Sequence, residues 1–140
     1  MKKTKYLLLL TMFLSFVAMN SNSFAQVEPV LYFCERYDAY EGEIGVRDRY
    51  SKGPLTVVVK SDYALKLESV AIQFDRYNFR SNEYEFYKKF YFTINKDDAY
   101  VYFAKNEESD MEFEYPGFYR VFLLDENDQT ITSGLVEIIE

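Results

Sequence analysis

Apolar and polar residues alternate over short runs throughout residues 26–140, and no window sustains the 3.6-residue period of an amphipathic helix. Successive side chains of a strand point to opposite faces, so this alternation predicts strands with one buried face. Segments rich in glycine, asparagine and aspartate separate the runs. About seven or eight such strands, paired antiparallel in one domain, indicate an all-β sandwich. The clearest runs are residues 55–60, 67–75, 84–94, 118–124 and 130–139.

The composition indicates how such a sandwich is held together. The chain contains 13 Phe and 14 Tyr, which provide ample apolar surface for a core and argue against disorder. Its single cysteine, Cys34, lies in an apolar run and has no partner for an intrachain disulfide. We therefore predict that Cys34 is a buried, structural thiol and that packing alone stabilises the domain.

The first 25 residues have a different character. Three lysines precede an apolar run over residues 6–19, and small residues end the segment. This pattern resembles a bacterial Sec signal peptide, with cleavage predicted between Ala25 and Gln26. The apolar run of about 14 residues is shorter than the roughly 20 residues of a membrane-spanning helix. We therefore expect an exported mature domain of residues 26–140 without a membrane span, located in the periplasm, at the cell surface or outside the cell.

The net charge and the residue types that the sequence lacks argue against several classes of function. Three of the 16 basic residues and none of the 23 acidic residues lie in the leader, so residues 26–140 carry a net charge of −10. Nucleic acid and anionic membranes are poor partners for such a domain. The sequence contains no histidine, no phosphate-binding glycine loop and no nucleophile-elbow motif. We therefore expect no catalytic residues and no cofactor.

One turn offers a possible exception. Asp125, Asn127 and Asp128 carry the oxygen ligands that Ca²⁺ takes in loops of extracellular domains. They do not follow the EF-hand spacing, and aspartate and asparagine are also the usual residues of hairpin turns. Turn formation is the favoured interpretation, and a calcium site is the alternative.

The run over residues 84–94 places phenylalanines on one parity and tyrosines on the other. The alternation predicts that Tyr87 and Tyr91 project outward from one face of the sheet. A row of exposed tyrosines suits a polysaccharide or a protein partner, although tyrosine also fits any half-buried strand surface. The side chains predicted to point inward are Phe86, Phe90 and Phe92.

Two faults interrupt the alternation. Lys88 falls on the apolar parity, which indicates a sheet edge where an inward-leaning lysine blocks further pairing. In the last run, Ile131 is out of phase with Val136 and Ile138. A β-bulge at Ser133–Gly134 would bring these three side chains to one face, and glycine favours such a bulge.

The segment Pro116–Asp125, followed by a turn and a final strand, resembles the F–G hairpin of immunoglobulin-like and fibronectin-III-like domains of secreted bacterial proteins. In those domains a turn, here containing Gly117, precedes a tyrosine whose hydroxyl bonds back to the backbone as a tyrosine corner. Tyr119 matches that tyrosine. The resemblance covers about a third of residues 26–140, lacks the two cysteines and tryptophan of true immunoglobulin domains, and implies a fold without a function.

Taken together, these features favour a non-catalytic extracytoplasmic module that binds or supports another protein of the cell envelope. A carbohydrate-binding module that uses Tyr87 and Tyr91 is the second interpretation. A small hydrolase or enzyme inhibitor, acting through carboxylates or the loop over residues 37–53, is the third.

Overall fold

The computed structural model describes residues 28–140, so the predicted leader and its cleavage site at Ala25–Gln26 lie outside the described residues. None of residues 28–140 is helical, and this range accordingly holds no apolar helix of membrane-spanning length. The chain here forms twelve strands: β1 Val30–Cys34, β2 Arg36–Asp38, β3 Gly42–Ile44, β4 Arg49–Ser51, β5 Gly53–Pro54, β6 Thr56–Lys60, β7 Ser69–Asn78, β8 Glu83–Thr93, β9 Tyr100–Phe103, β10 Glu112–Phe113, β11 Gly117–Leu124 and β12 Thr130–Ile139.

Eight of these strands make two sheets. One sheet has the order β1-β6-β9 and the other the order β4-β12-β11-β7-β8. In the lettering of immunoglobulin domains these are A-B-E on one side and G-F-C-C′ on the other, with β4 added beside G. The strand order therefore confirms the predicted immunoglobulin-like sandwich. One detail differs, because β4 runs parallel to β12 whereas the prediction was antiparallel throughout.

The core fills the space between the two sheets. Alternate residues of each strand point into it, as the sequence pattern predicts, because burying one face of each sheet is the main source of stability. Representative buried side chains are Leu31, Phe33, Val57, Val59, Ile72, Phe74, Val101, Phe103, Val121, Leu123, Val136 and Ile138.

The bulge in β12 exists, but its predicted position is wrong. Leu123 pairs with Thr132 and Leu124 pairs with Thr130, so Ile131 is the extra residue. Pairing is regular at Ser133 and Gly134. Gly134 serves a different purpose, since a Cβ there would lie 2.7 Å from the carbonyl oxygen of Leu31 in β1. Glycine is thus required where β12 of one sheet approaches β1 of the other.

Tyr119 forms the corner that the sequence predicts. Its hydroxyl donates a hydrogen bond to the carbonyl of Tyr115 at 2.7 Å, and its fully buried ring packs edge-to-face on Phe113 at 4.9 Å. Burial raises the pKa of Tyr119 to about 12. Gly117 adopts a φ of +149°, a backbone conformation that residues other than glycine rarely adopt. The side chain of Arg76 lies against it.

The β2–β3 hairpin, residues 36–44, covers the outer face of the three-stranded sheet and is called the hairpin flap below. The Glu43 carboxylate in the flap accepts hydrogen bonds from Tyr32 at 2.5 Å and Tyr100 at 2.7 Å. Tyr37 stacks on Tyr102 with ring centroids 4.1 Å apart. Desolvation and then the Glu43 carboxylate raise the pKa of both hydrogen-bonded tyrosines above their usual range. The flap is therefore held by two charge-assisted bonds and one aromatic stack.

Cys34 is fully buried at the end of β1, next to the flap. Burial, followed by the nearby Glu43 charge, raises the pKa of the thiol. A thiol in this state is protonated and shielded, as expected of the structural cysteine predicted from the sequence.

Replacing Glu43 with Gln is expected to speed alkylation of Cys34 by iodoacetamide on the order of tenfold, because it weakens the bonds that close the flap. Mass spectrometry of the intact protein measures the rate, and Glu41→Gln in the exposed turn of the same hairpin is the matched control. Hydrogen exchange of the Glu35 amide, which donates to the Ile44 carbonyl at 2.9 Å, reports opening independently of the thiol pKa. Equal rates in all three proteins would contradict the flap model.

Candidate functional site

The outer face of the five-stranded sheet carries a group of exposed apolar side chains, called the aromatic face below. Several of its residues have more than half of their surface open to solvent, including Tyr91 at 76% and Phe86 at 65%. Large exposed apolar patches are uncommon on monomeric proteins, and where they occur they mark interaction sites. The residues of the aromatic face are Phe79, Phe86, Tyr91, Phe118 and Leu135, with half-buried Tyr77, Tyr84 and Phe122 between them.

A second β-bulge, in β8, decides which of its aromatic residues face outward. Phe74 pairs with Lys88 and Asp75 pairs with Phe86, so Tyr87 is the extra residue in β8. The bulge reverses the alternation on its N-terminal side. Phe86 is therefore exposed, and the prediction that it points into the core is wrong.

The prediction that Tyr87 points outward is also wrong, for the same reason. Tyr87 packs against the core, with its ring 5.6 Å from that of Tyr119, and its hydroxyl is buried without a hydrogen-bond partner in the described chain. Tyr91, on the other side of the bulge, faces solvent as predicted. The predicted outward pair is thus reduced to Tyr91 alone.

Lys88 directly follows the bulge and keeps the inward parity of Phe90 and Phe92. Strand β8 is the edge of the sheet, as its lysine indicated. The Lys88 ammonium donates to the Glu112 carbonyl at 3.2 Å and pairs with Glu114 at 2.5 Å. The lysine therefore closes the gap between β8 and the segment that leads to β11.

Ring contacts order the aromatic face before any partner binds. Tyr77 makes edge-to-face contacts with Phe79 at 5.1 Å and Tyr84 at 5.2 Å. Phe79 in turn lies 6.2 Å from Phe118. The guanidinium of Arg120 lies over the Tyr84 ring at 5.1 Å. Such contacts already restrict these side chains, so binding a partner costs less conformational entropy.

The charges on this face balance. Arg49 pairs with Glu137 at 3.1 Å, and Lys89 pairs with Asp128 in the turn that joins β11 to β12. Arg120 and Asp75 are neighbours in register, yet neither forms an ion pair within residues 28–140. The face is therefore close to neutral on a domain that is strongly acidic.

A cleft of about 500 Å³ lies beside Tyr91, between the start of β7 and the turn that joins β11 to β12. Acidic residues of that turn and of the segment after β9 line it, including Glu108 and Glu126. Its walls include a single exposed aromatic side chain from the aromatic face, Tyr91.

The predicted calcium ligands lie in that turn. One carboxylate oxygen of Asp125 accepts hydrogen bonds from the backbone amides of Asn127 and Gln129, both at 2.8 Å. The Asp128 carboxylate pairs with Lys89. This is the bonding of an aspartate-initiated turn. Within residues 28–140, no three His, Cys, Asp or Glu side chains are grouped so that they could hold a metal ion. Calcium binding by Asp125, Asn127 and Asp128 stays a prediction.

Comparison with known proteins adds only a likeness of fold. No protein-family model and no curated protein matches this sequence. An immunoglobulin-like protein from Pseudomonas aeruginosa aligns with a TM-score of 0.45 at 10% identity, over 82% of this chain and 99% of that one. A superoxide reductase (neelaredoxin) from Ignicoccus hospitalis aligns with a TM-score of 0.42 at 8% identity, over 81% of each chain.

Proposed function

We propose that this chain is a non-catalytic, extracytoplasmic module that binds protein through its aromatic face. The observation that carries the proposal is the concentration of exposed Phe86, Tyr91, Phe118 and Leu135 on one face of the sandwich, while the hairpin flap covers the opposite outer face. The pattern of residues 1–25 supports the extracytoplasmic location.

The composition of the face suits a protein partner. Aromatic residues and arginine are enriched at the centres of protein interfaces, where they supply most of the binding energy. The aromatic face combines both, with Arg120 among its rings. Carbohydrate binding has less support, because stacking on a sugar chain was expected from Tyr87 and Tyr91 together and Tyr87 is turned into the core.

Site-specific photo-crosslinking in cells tests the proposal. A benzoylphenylalanine in place of Phe86 is expected to give a discrete crosslinked product in the extracytoplasmic fraction. The same probe in place of Tyr40, which is fully exposed in the turn of the hairpin flap, is the matched control and is expected to give none. Mass spectrometry then identifies the protein joined to position 86.

A second substitution shows whether the crosslink depends on the face. Leu135→Lys, three strands away from Phe86, is expected to abolish the product because it places a charge in the middle of an apolar contact. Products of equal yield from positions 86 and 40, or a product that survives Leu135→Lys, would contradict the proposal.

A further inference from the structure

The register of the five-stranded sheet gives the aromatic face a self-complementary pattern. One row of side chains crosses four strands in the order Leu135, Arg120, Asp75, Phe86, since Arg120 pairs with both Leu135 and Asp75 and Asp75 pairs with Phe86. The centre of this row is one cation beside one anion, and each end is a large exposed apolar side chain. The row is thus symmetric in character about the line between β11 and β7.

We propose that the partner of the aromatic face is a second copy of this chain, placed by a two-fold axis that runs parallel to the strands between β11 and β7. This inference rests on the proposed function, because it names the partner of the same face. The axis lays β12 over β8 of the second copy and β11 over its β7. Arg120 then opposes Asp75 of the second copy, and Leu135 opposes its Phe86, twice in each dimer.

The adjacent row obeys the same pairing. It runs Ser133, Phe122, Gln73, Lys89 across the same four strands. The axis sets the Ser133 hydroxyl against the lysine of the second copy, and it sets the Phe122 ring against the apolar stem of the glutamine. No like charges meet in either row. Sheets packed face to face keep their strands within about 30° of each other, so rows near the axis stay opposed.

The charges that the chain leaves unpaired point to the same partner. Arg120 and Asp75 form no ion pair within residues 28–140, although they are cross-strand neighbours. Asp75 accepts one hydrogen bond, from Gln73 at 2.9 Å. Two reciprocal salt bridges in the dimer would use both groups. Another acidic copy can approach at this face because its charges balance, whereas residues 26–140 as a whole carry −10.

The size of the face is adequate for a stable dimer. The four strands that the axis brings into opposition are about 4.8 Å apart and about 30 Å long, so they present on the order of 600 Å². A standard protein interface buries about 800 Å² on each partner, so the face approaches that size once its side-chain relief is counted.

Sedimentation of the purified protein tests the proposal by charge reversal. The protein is expected to sediment as a dimer at micromolar concentration. Arg120→Asp and Asp75→Arg are each expected to weaken dimerisation at least about 30-fold, because each sets like charges against one another. The double variant restores opposite charges across the axis, and its dimer affinity is expected to return to within about threefold of the unsubstituted protein.

Thermal unfolding of each variant is measured as well, to check that the fold is retained. Lys60→Asp, at an exposed lysine of β6 in the opposite, three-stranded sheet, is the matched charge control and is expected to leave the dimer unchanged. A monomer at about 100 μM, or a double variant as weak as the single ones, would overturn the proposal. Crosslinking from position 86 to a different protein, with a monomeric purified chain, would overturn the dimer while leaving the proposed function standing.

Discussion

Gly134→Ala is expected to lower the free energy of unfolding by about 3 kcal/mol, the upper end of what overpacking a tight core costs. A single methyl group has this effect because its Cβ would lie 2.7 Å from the Leu31 carbonyl oxygen and 2.9 Å from the Leu31 Cδ2. Strand β1 cannot retreat easily, since it is paired with β6 over all five of its residues, from Val30 to Cys34. Glycine to alanine in an open strand would instead be neutral or stabilising.

Thermal unfolding followed by circular dichroism measures this loss, which for a domain of this length corresponds to a fall in Tm of about 10 °C. Ser133→Ala, at the neighbouring exposed position of the same strand, is the matched control and is expected to change little. A Gly134→Ala protein as stable as this control would show that β1 and β12 do not meet as closely as described.

Tyr119→Ala is expected to be the more severe substitution, with a loss of about 3–5 kcal/mol. The ring is fully buried between Phe113 and Tyr87, so its removal leaves a cavity between the two sheets. The hydroxyl also ties β11 to the segment before it, through the 2.7 Å bond to the Tyr115 carbonyl. A domain of ordinary stability retains only a small margin after such a loss.

The variant Tyr119→Phe separates the two contributions. It keeps the ring and removes the hydrogen bond, so a loss of about 1–2 kcal/mol is expected in urea unfolding. Tyr40→Ala, at a fully exposed tyrosine, is the control for loss of an aromatic ring and is expected to change nothing. A Tyr119→Phe protein indistinguishable from the unsubstituted one would mean that the corner contributes packing alone.

Much of the fold could be predicted because its signals are local. The alternation over residues 118–124 and 130–139 predicted β11 and β12 almost to the residue, with the turn between them. Tyr119 was identifiable because a tyrosine corner is set by its position relative to the turn before the strand. The hairpin flap was missed as a layer, since its two strands are only three residues long and carry no periodic pattern.

The candidate site was harder to predict. Alternation assigns faces only while pairing is regular, and one extra residue exchanges the two faces. The bulge at Tyr87 therefore inverted the assignments of Phe86 and Tyr87. Lys88 gave no warning of it, because this lysine keeps the parity of Phe90 and Phe92 with or without the bulge. The exposure of Phe118 and Leu135 could not be predicted either, because the strand pattern does not show whether another layer covers the outer face of the sheet.

By itself, the sequence determined an all-β domain with strand runs in known places, a single thiol, an acidic surface and an N-terminal segment that resembles an export signal. These are properties of composition and of neighbouring residues, and the period-two pattern is local. Only the tertiary structure decided that Gly134 faces the backbone of Leu31, that Tyr87 turns inward, and that Arg120 lies beside Asp75. The physical reason is that each of these facts depends on the register between strands distant in sequence, which no alternation within one strand contains.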